Sequence, residues 1–395
     1  MGARPRLGVV ITELGIPSEV WMTRQCAAFR EVEPVLFAWG EAPDGAPTPP
    51  GIERRLFSTP FPAPRGLGGR LAARAGLARA RMPDAAARAD LRRTLLDARL
   101  DGVLCHFLWT AIPVAAALDG ALPAAAQAHG RDASALLAHA DYRAALRATL
   151  PRLAALAAVG RFQLDLLRPF GLPARCAVIP CGAPTELFAA RPLPERGPGE
   201  PIRFVSVGRL SAEKGVLESL AAFERVAAAH PAEWIVIGDG PLRGALERAV
   251  AASPAGGRVR IAGRLAPEAV AAELARAHVF VQHSRAAGGW IEGFGVTLTE
   301  AGAAGLPRVV SEFGGIPDQV THGRDGLLFP PGDVAAQAEA MAALAADEPR
   351  RRVLGAAARE TAAGFDSALM AARLEAFLAP MLRRAPGPAA EPAHA

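Results

Sequence analysis

WIEGFGVTLTEAGAAGLP, residues 290–307, lies between two short apolar runs, residues 279–282 and 308–311. Gly293 and Gly295 favour a loop, and the alanine- and leucine-rich residues after them favour a helix. A short apolar run, a helix and a second apolar run are typical of parallel strands joined by a crossover helix. The segment therefore predicts an α/β domain built on a parallel sheet.

The same alternation extends along the chain in both directions from this segment. We predict further strands at residues 7–12, 35–39, 102–106, 124–128, 155–159, 177–179, 203–207, 234–238, 259–262 and 326–329, and helices that include 216–229, 242–252, 267–275, 296–305 and 367–382. Several prolines between residues 184 and 201 favour a linker between the two series. Because 395 residues exceed what one hydrophobic core usually organises, we expect two doubly wound α/β domains.

Net charge, the length of the apolar runs and the spacing of the cysteines limit which class of protein this can be. The net charge of +5 indicates an anionic partner without identifying it, and no apolar run is long enough to cross a bilayer. No small-residue cleavage pattern follows the first strand, so we expect a cytoplasmic protein. The cysteines show no metal-ligand or disulfide spacing and are expected to be reduced and buried: Cys26, Cys105, Cys176 and Cys181.

Arginines crowd residues 65–99, in an alanine- and leucine-rich stretch that we predict to be helical. Such a stretch is either a solvated helix face or a surface that makes peripheral contact with the cytoplasmic face of the inner membrane. It has no interleaved aromatic residues, which disfavours nucleic acid as a partner.

Lys214 is the only lysine of the chain and lies in the loop VGRLSAEKG, residues 207–215, directly after a predicted strand. An ammonium is a compact charge on a flexible stem, whereas a guanidinium is a wide planar fork, so the two are not exchangeable in a tight loop. The loop therefore predicts that Lys214 and Arg209 face an anion such as a phosphate. The alternative is that the lysine is a chance remnant at a solvated helix start.

Glu292 and Glu300 place two carboxylates at the mouth of the predicted helix. A carboxylate only accepts hydrogen bonds, and its two oxygens suit the paired hydroxyls of a sugar or ribose. Gly314 and Gly315, followed by Ile316, offer unobstructed backbone amides after another strand, which suits a phosphate. All these groups follow strands of one parallel sheet, whose carboxyl edge is where such sheets bind ligands. For Glu300 alone, stabilisation of the helix N-terminus is an equal explanation, and a Gly-Gly pair by itself is more often a turn.

These residues resemble the donor-binding half of a retaining family 4 glycosyltransferase of GT-B fold. The family's pair of glutamates with seven residues between them matches Glu292 and Glu300, in EGFGVTLTEAGAAGLP. Three further family motifs are matched by VGRLSAEKG, by the turn Gly238-Asp239-Gly240-Pro241 and by GGIPD.

The resemblance implies a binding site for a nucleotide-diphosphate sugar. Arg209 and Lys214 would bind the diphosphate, Glu300 the ribose hydroxyls, and Glu292 hydroxyls of the transferred sugar. The implied donor-binding residues are Arg209, Lys214, Gly238, Gly240, Glu292, Gly293, Phe294, Gly295, Glu300, Gly314, Gly315 and Ile316. The residues implied in catalysis are His129, Glu292, Arg209 and Lys214.

The first half is similar to the branch of the family that contains colanic-acid and other exopolysaccharide transferases. Its matching pieces include Leu104-Cys105-His106-Phe107, Ala128-His129-Gly130-Arg131-Asp132 and residues 182–188. In the family the His-Gly pair lies near the reacting sugar, which makes His129 a candidate, although a lone histidine is usually structural. The implied acceptor-side residues are Ser18, Glu19, His106, Arg131 and Asp132.

By the same resemblance the chain has a GT-B fold, with two Rossmann-like doubly wound domains, a cleft between them and a C-terminal helix that returns to the N-terminal domain. The implied boundaries are residues 1–183 for the acceptor-side domain, 184–201 for the linker, 202–365 for the nucleotide-sugar-binding domain, 366–384 for the returning helix and 385–395 for a disordered tail.

The implied reaction transfers a hexose-type sugar, with retention of configuration, to a glycan or lipid-linked acceptor in polysaccharide biosynthesis. No Asp-x-Asp triplet occurs in the sequence, so we expect neither a metal nor another cofactor. A catalytically inert glycan- or nucleotide-binding relative and a nucleotide-sugar epimerase of the same fold stay open as alternatives. An NAD-dependent dehydrogenase is disfavoured, because Arg243 stands where the dinucleotide fingerprint at Gly238 needs its third glycine.

Three segments depart from the family pattern, one of them Gln282-His283-Ser284, which stands where a Pro-Ser pair is usual. Residues 14–18 replace the glycine-rich loop that usually follows the first strand. Arg308 begins a strand where an apolar residue is usual, and we expect it at an exposed strand start or in a salt bridge.

Overall fold

The computed structural model describes residues 3–16, 19–42, 48–62, 82–189, 197 and 199–382. The chain divides into two compact units. The first unit contains the described residues up to Ala158, together with Gln163–Ile179 and the described residues from Met370. The second unit contains Val159–Phe162 and the described residues from Pro180 to Leu369.

The first unit is a parallel sheet with helices packed against it. Its strands are β1 (Arg6–Val10), β2 (Glu33–Ala38), β3 (Glu53–Leu56), β4 (Gly102–His106), β5 (Ala124–Ala128), β6 (Ala155–Ala158) and β7 (Cys176–Val178), in the spatial order β3-β2-β1-β4-β5-β6-β7. Its helices include α1 (Val20–Ala28), α2 (Ala85–Asp97), α3 (Leu108–Leu118), α4 (Ala140–Thr149) and most of α5 (Arg161–Leu167). The chain order reverses between β1 and β4, so the loops that leave the carboxyl ends of these strands diverge and open a crevice.

The second unit repeats this design. Its strands are β8 (Ile202–Val207), β9 (Ala232–Ile237), β10 (Val259–Gly263), β11 (Val279–Gln282), β12 (Arg308–Ser311) and β13 (Gly326–Phe329), all paired in parallel in the order β10-β9-β8-β11-β12-β13. Its helices include α6 (Thr185–Ala189), α7 (Val216–Ala229), α8 (Arg243–Ala252), α9 (Pro267–Leu274), α10 (Val296–Ala303), α11 (Val334–Ala346) and α12 (Glu348–Ala363). Here the strand order reverses between β8 and β11.

The predicted fold class of two doubly wound parallel domains is confirmed. The predicted linker, in contrast, begins with helix α6, whose Phe188 is buried in an apolar cluster of the second unit. Residues 185–189 therefore belong to that unit, and the division between the units falls at Pro180. Three parts of these predictions lie outside the described residues: 190–196 and 198 of the linker, 65–81 of the arginine-rich stretch, and the tail.

The last helix, α13 (Ser367–Leu382), packs on the sheet of the first unit, as the resemblance implied. Its apolar side chains join the cluster formed by residues of β1, β2 and β4. Glu375 is buried in this interface, and its Oε1 accepts hydrogen bonds from the backbone N–H groups of Arg30, Glu31 and Val32 at 2.8, 2.8 and 3.1 Å. The helix thus fixes the turn between α1 and β2.

The cysteines are reduced, and Cys26, Cys105 and Cys181 are buried as expected. Cys176 is only partly buried, because it lies on the edge strand β7, which corrects the expectation for that residue. Among the residues that the structure describes, no helix is long and apolar enough to cross a membrane.

Arg308, at the start of β12, is buried, so the expected exposed strand start is wrong and the expected salt bridge is confirmed. Its Nη2 lies 3.0 Å from Oδ1 of Asp325, and both side chains are 1% exposed. Nη1 donates to the backbone oxygen of Gln319 at 3.2 Å. Burial lowers the pKa of Arg308 to about 10 despite the adjacent Asp325, so the guanidinium stays charged at neutral pH. Asp325 also accepts a hydrogen bond from Thr361 at 2.7 Å, which ties β12 to helix α12.

Arg308→Met should lower the free energy of unfolding by about 3–5 kcal/mol, because it leaves the Asp325 carboxylate buried without its partner. The matched control is Arg54→Met, since Arg54 forms an exposed ion pair with Glu41 at 3.3 Å and should cost less than about 1 kcal/mol. Urea denaturation followed by circular dichroism measures both changes. Equal effects of the two substitutions would show that the buried pair is not structurally important.

Candidate functional site

Two loops of the second unit leave the sheet where its strand order reverses. Residues 208–215 follow β8, and residues 283–295 follow its neighbour β11. At such a point the loops diverge and leave a crevice in which α/β proteins bind ligands. Arg209 and Lys214 lie on the first loop and Glu292 lies on the second, so the predicted cations and carboxylate share one edge of the sheet.

Lys214 and Glu292 are in direct contact. Lys214 Nζ lies 2.5 Å from Glu292 Oε2, and the two side chains are 19% and 6% exposed. The same oxygen accepts hydrogen bonds from Ser284 Oγ at 2.9 Å and from Gln282 Nε2 at 3.2 Å. The Trp290 ring flanks the ammonium, with 5.1 Å between Nζ and the ring centroid. A broad guanidinium could not occupy the place of this compact ammonium with the same contacts.

The carboxylate of Glu292 is held through one oxygen. Oε2 takes all three side-chain contacts, and Oε1 makes no hydrogen bond with the residues that the structure describes. Because an ionised carboxylate can accept about four hydrogen bonds, Oε1 retains capacity for the hydroxyls of a ligand.

Glycines allow the loops of this edge to approach one another closely. Gly215, with φ +58°, precedes α7, and a Cβ there would lie 2.0 Å from the carbonyl oxygen of His283. A Cβ at Gly238 or Gly240 would lie 1.8 or 2.5 Å from a carbonyl oxygen of residues 208–210. These predicted glycines therefore pack the turn after β9 onto the Lys214 loop. Helix α7 has no side-chain hydrogen bond at its N-cap, which leaves its N-terminus suited to an anion at this edge.

Arg209, the second predicted cation, lies at the surface. Its side chain is 61% exposed, and its Nη2 lies 2.8 Å from Oε1 of Glu213. Burial raises the pKa of Glu213, but hydrogen bonds and the charges of Arg209 and Lys214 outweigh burial and hold that pKa below its usual value. An exposed pair of this kind contributes less than about 1 kcal/mol, so Arg209 can exchange Glu213 for another anion at low cost.

The turn at Gly314 and Gly315 supports the backbone of Glu292. A Cβ at Gly314, where φ is +61°, would lie 2.3 Å from the carbonyl oxygen of Glu292, and the N–H of Gly315 donates to that oxygen at 2.9 Å. The N–H of Ile316 donates to the carbonyl of Phe313 at 3.2 Å. The phosphate contacts predicted for Gly315 and Ile316 would therefore have to share N–H groups that already hold the loop together.

Glu300, the second predicted carboxylate, is the fifth residue of α10 and is half-buried. The helix follows Gly295, which has φ +81° and ends the predicted loop. Phe294 was predicted to contact the donor, but it is 3% exposed and its ring lies 5.4 Å from that of Phe365. Its side chain therefore belongs to the core of the second unit, and only its backbone borders the loop.

Gln319 holds the loop between the two glutamates and was not among the residues predicted from the sequence. Its Nε2 donates to the carbonyl of Phe294, and its Oε1 accepts from Thr299 Oγ1 at 2.9 Å. The buried Arg308 in turn donates to the Gln319 backbone. A single glutamine after a family motif carries no pattern that would identify this role from sequence.

In the first unit, the carboxyl ends of β4 and β5 bring two predicted histidines together. Nδ1 of His106 lies 3.1 Å from Nε2 of His129, and the residues are 0% and 9% exposed. The Trp21 ring packs on both imidazoles, with centroid distances of 5.5 and 4.5 Å. Burial lowers the pKa of His106 to about 3, and burial together with His106 lowers the pKa of His129 well below its usual value. Both rings are therefore neutral at physiological pH.

Asp132 organises the turn after β5. Its carboxylate accepts hydrogen bonds from the backbone N–H groups of Leu108, His129 and Gly130 at 2.9, 3.1 and 2.8 Å. Burial raises the pKa of Asp132, and these hydrogen bonds only partly oppose that shift. Asp132 is fully buried, so it supports the His129 backbone instead of facing an acceptor, whereas Arg131 is exposed.

Glu19 precedes helix α1, at the end of the loop that follows β1, and the predicted Ser18 lies outside the described residues. Burial, together with the nearby charge of Glu13, raises the pKa of Glu19 to about 7. Glu19 Oε2 is buried and has no hydrogen-bond partner among the described residues.

The raised pKa of Glu19 makes stability depend on pH. The folded state holds this proton more tightly than the unfolded state, so the contribution is complete below about pH 4.5 and is lost as the pH rises towards 7. Glu19→Gln cannot ionise, and it should be more stable than the parent protein at pH 8 by on the order of 1 kcal/mol, with a smaller difference at pH 4. Thermal unfolding between pH 4 and 8 measures this, with the exposed Glu31→Gln as control. A difference that does not change with pH would contradict the assignment.

Two family models match the chain. The model described as Glycosyltransferase Family 4 matches residues 22–187, and the model described as Glycosyl transferases group 1 matches residues 194–361. A GDP-mannose-dependent alpha-(1-6)-phosphatidylinositol monomannoside mannosyltransferase of Mycobacterium tuberculosis is 31% identical over 221 residues, 53% of this chain and 57% of that protein. The amylovoran biosynthesis glycosyltransferase AmsK of Erwinia amylovora is 35% identical over 153 residues, 38% of this chain and 37% of that protein. The chain thus matches little more than half the length of the mannosyltransferase and little more than a third of AmsK.

Solved structures share the fold over nearly the whole chain. Sucrose-phosphate synthase of Thermosynechococcus elongatus superposes with a TM-score of 0.73 at 19% identity, over 96% of this chain and 99% of that one. Anabaena HepE in complex with UDP and glucose gives a TM-score of 0.71 at 16% identity, over 95% of this chain and 100% of that one. At these identities the likeness establishes the fold alone. The two family models together leave out only the chain ends and residues 188–193, and with the shared fold they support a group 1 and family 4 glycosyltransferase of GT-B fold.

Proposed function

We propose that this protein transfers a sugar from a nucleotide-diphosphate sugar to a glycan or lipid-linked acceptor, with retention of anomeric configuration. The observation that carries the proposal is the contact between Lys214 and Glu292 where the strand order of the second sheet reverses. One group is a cation suited to phosphate, and the other is an acceptor suited to hydroxyls. A nucleotide sugar presents both chemistries next to each other.

The diphosphate is assigned to the Lys214 side of the edge. Lys214 directly precedes Gly215, the N-cap of α7, so a phosphate at this end of the helix would meet both a full positive charge and the positive end of the helix dipole. The exposed Arg209 can turn from Glu213 to the same anion. Positive charge that is already in place stabilises the leaving diphosphate as its negative charge develops, and such stabilisation usually contributes more to the rate than any other effect.

The sugar is assigned to the Glu292 side. Lys214, Ser284 and Gln282 fix Oε2, which orients Oε1 as an acceptor for hydroxyls of the transferred sugar. Glu300 is assigned the ribose hydroxyls, as the family resemblance implies. By the same resemblance, the acceptor hydroxyl attacks the face from which the diphosphate leaves and gives its proton to a phosphate oxygen.

We propose metal-independent transfer, since the chain has no Asp-x-Asp triplet and Arg209 and Lys214 supply the positive charge. Within the described ranges, no three or more His, Cys, Asp or Glu side chains are arranged to hold a metal ion.

The names of similar proteins support this class of substrates. Anabaena HepE has been solved in complex with UDP-glucose, and the mycobacterial relative is named as dependent on GDP-mannose. The acceptor of that relative is a phosphatidylinositol mannoside by its name, and AmsK is named for amylovoran biosynthesis. We therefore propose an acceptor in polysaccharide or glycoconjugate biosynthesis, of the exopolysaccharide type, met by a cytoplasmic protein at the inner face of the membrane.

UDP and GDP should each be tested for thermal stabilisation of the protein at millimolar concentration. A ligand present at 100 times its dissociation constant stabilises the folded state by about 2.7 kcal/mol, which raises the melting temperature by several degrees. UMP and GMP are the matched controls and should stabilise less, because they lack the second phosphate. If no nucleoside diphosphate or nucleotide sugar stabilises the protein, the donor site is wrongly assigned.

Lys214→Arg should reduce kcat/KM by at least about tenfold, or roughly 1.4 kcal/mol, although it keeps the charge. The wide planar guanidinium cannot reproduce the contacts that the compact ammonium makes with Glu292 and the Trp290 ring. The matched control is Arg209→Lys, which exchanges the same two side chains at an exposed position and should change kcat/KM only a few-fold. Equal losses in the two variants, or near-normal turnover of Lys214→Arg, would refute the role assigned to the lysine.

A further inference from the structure

The imidazole rings of His106 and His129, in the first unit, are in direct contact. Nδ1 of His106 and Nε2 of His129 are 3.1 Å apart, a hydrogen-bond distance between two ring nitrogens. His106 is the last residue of β4 and His129 directly follows β5, so two adjacent strands fix the two rings relative to each other. Both rings are buried.

A hydrogen bond between two neutral imidazoles can be made in two ways. In the first, His106 carries its proton on Nδ1 and donates it to His129 Nε2. In the second, His129 carries its proton on Nε2 and donates it to His106 Nδ1. Each neutral ring has one N–H and one bare nitrogen, so the choice fixes the other nitrogen of both rings.

The other nitrogen of His106 decides between these arrangements. Its Nε2 is buried and has no hydrogen-bond partner among the described residues. The second arrangement would place an N–H there without an acceptor among the described residues. A buried N–H without an acceptor is rarer and more costly than a bare acceptor nitrogen. The first arrangement leaves only a bare nitrogen at this position.

We propose that His106 is a positioning residue that fixes His129 in the tautomer with its proton on Nδ1. His106 Nδ1–H donates to His129 Nε2, and His129 therefore carries its own proton on Nδ1. The depressed pKa values of both rings agree with a neutral pair. The use of His129 in sugar transfer rests on the proposed function, whereas its tautomer does not.

This tautomer limits what His129 can do for a sugar substrate. Its Nε2 lone pair is occupied by His106, and its Nδ1 already carries a proton, so the ring cannot take a proton from an acceptor hydroxyl. Through Nδ1 the ring can only donate a hydrogen bond. His129 is thus a hydrogen-bond donor and not the general base of the reaction.

NMR of the full chain with 15N-labelled histidine tests the tautomer directly. Long-range nitrogen–proton correlations distinguish a protonated ring nitrogen from a bare one, and His129→Gln identifies the signals. We expect His129 to show a protonated Nδ1 and a bare Nε2 at pH 7.5. A protonated Nε2 on His129 would overturn the proposal, whether or not the protein transfers sugar.

Two variants of His106 test the effect on the reaction. His106→Asn places an amide N–H near the position of Nδ1 and should keep both the His129 tautomer and kcat within about threefold. His106→Leu removes the donor at similar volume and should release the tautomer, with a loss in kcat of about tenfold and little change in the donor KM. The double variant His106→Leu/His129→Gln should be no slower than His129→Gln, since His106 acts through His129.

Melting temperatures show that each variant is folded at the assay temperature. If His106→Leu and His106→Asn lose the same activity, or if the losses of His106→Leu and His129→Gln add, His106 does not act through the tautomer of His129. If the parent protein transfers sugar from no nucleotide sugar, the proposed function is refuted. The NMR measurement of the His129 tautomer then still tests the role of His106.

Discussion

The contact between Lys214 and Glu292 is the interaction on which the candidate donor site depends. The two residues are far apart in sequence and meet at 2.5 Å because β8 and β11 are neighbours at the reversal of strand order. A compact ammonium, a carboxylate already fixed by Ser284 and Gln282, and a flanking Trp290 ring leave little freedom in this geometry. The glycines around it serve the same contact, since a Cβ at any of several positions would push the loops apart.

The two units share one sheet topology but place different kinds of side chain at the carboxyl ends of their strands. In each sheet the chain order reverses once, and predicted site residues lie at the carboxyl ends of strands at or beside that reversal. The second unit gathers Lys214, Arg209 and an oriented carboxylate, which suits a charged, hydroxyl-rich donor. The first unit buries His106 and His129 as a neutral pair among aromatic rings. Neutral donors and acceptors suit the hydroxyls of a sugar, because no charge has to be removed from water.

Much of the fold could be predicted from sequence because buried parallel strands are continuous apolar runs. Strand β3 could not, since its residues Glu53–Leu56 are mostly charged and lie at an exposed sheet edge. Lys214 and Glu292 could be predicted from their loops and the family motif. The pairing of His106 with His129 could not, nor could the buried ion pair of Arg308, because such contacts depend on how distant segments pack and leave no periodic signal in the chain.

The most direct test of the donor site is a crystal structure of the protein with a bound nucleoside diphosphate. We expect a terminal phosphate oxygen within hydrogen-bond distance of Lys214 Nζ, close to the N-terminus of α7. We also expect Glu292 to stay beside this phosphate, with Oε1 facing the space for the sugar. A diphosphate bound elsewhere, with Lys214 still paired only with Glu292, would contradict the central claim.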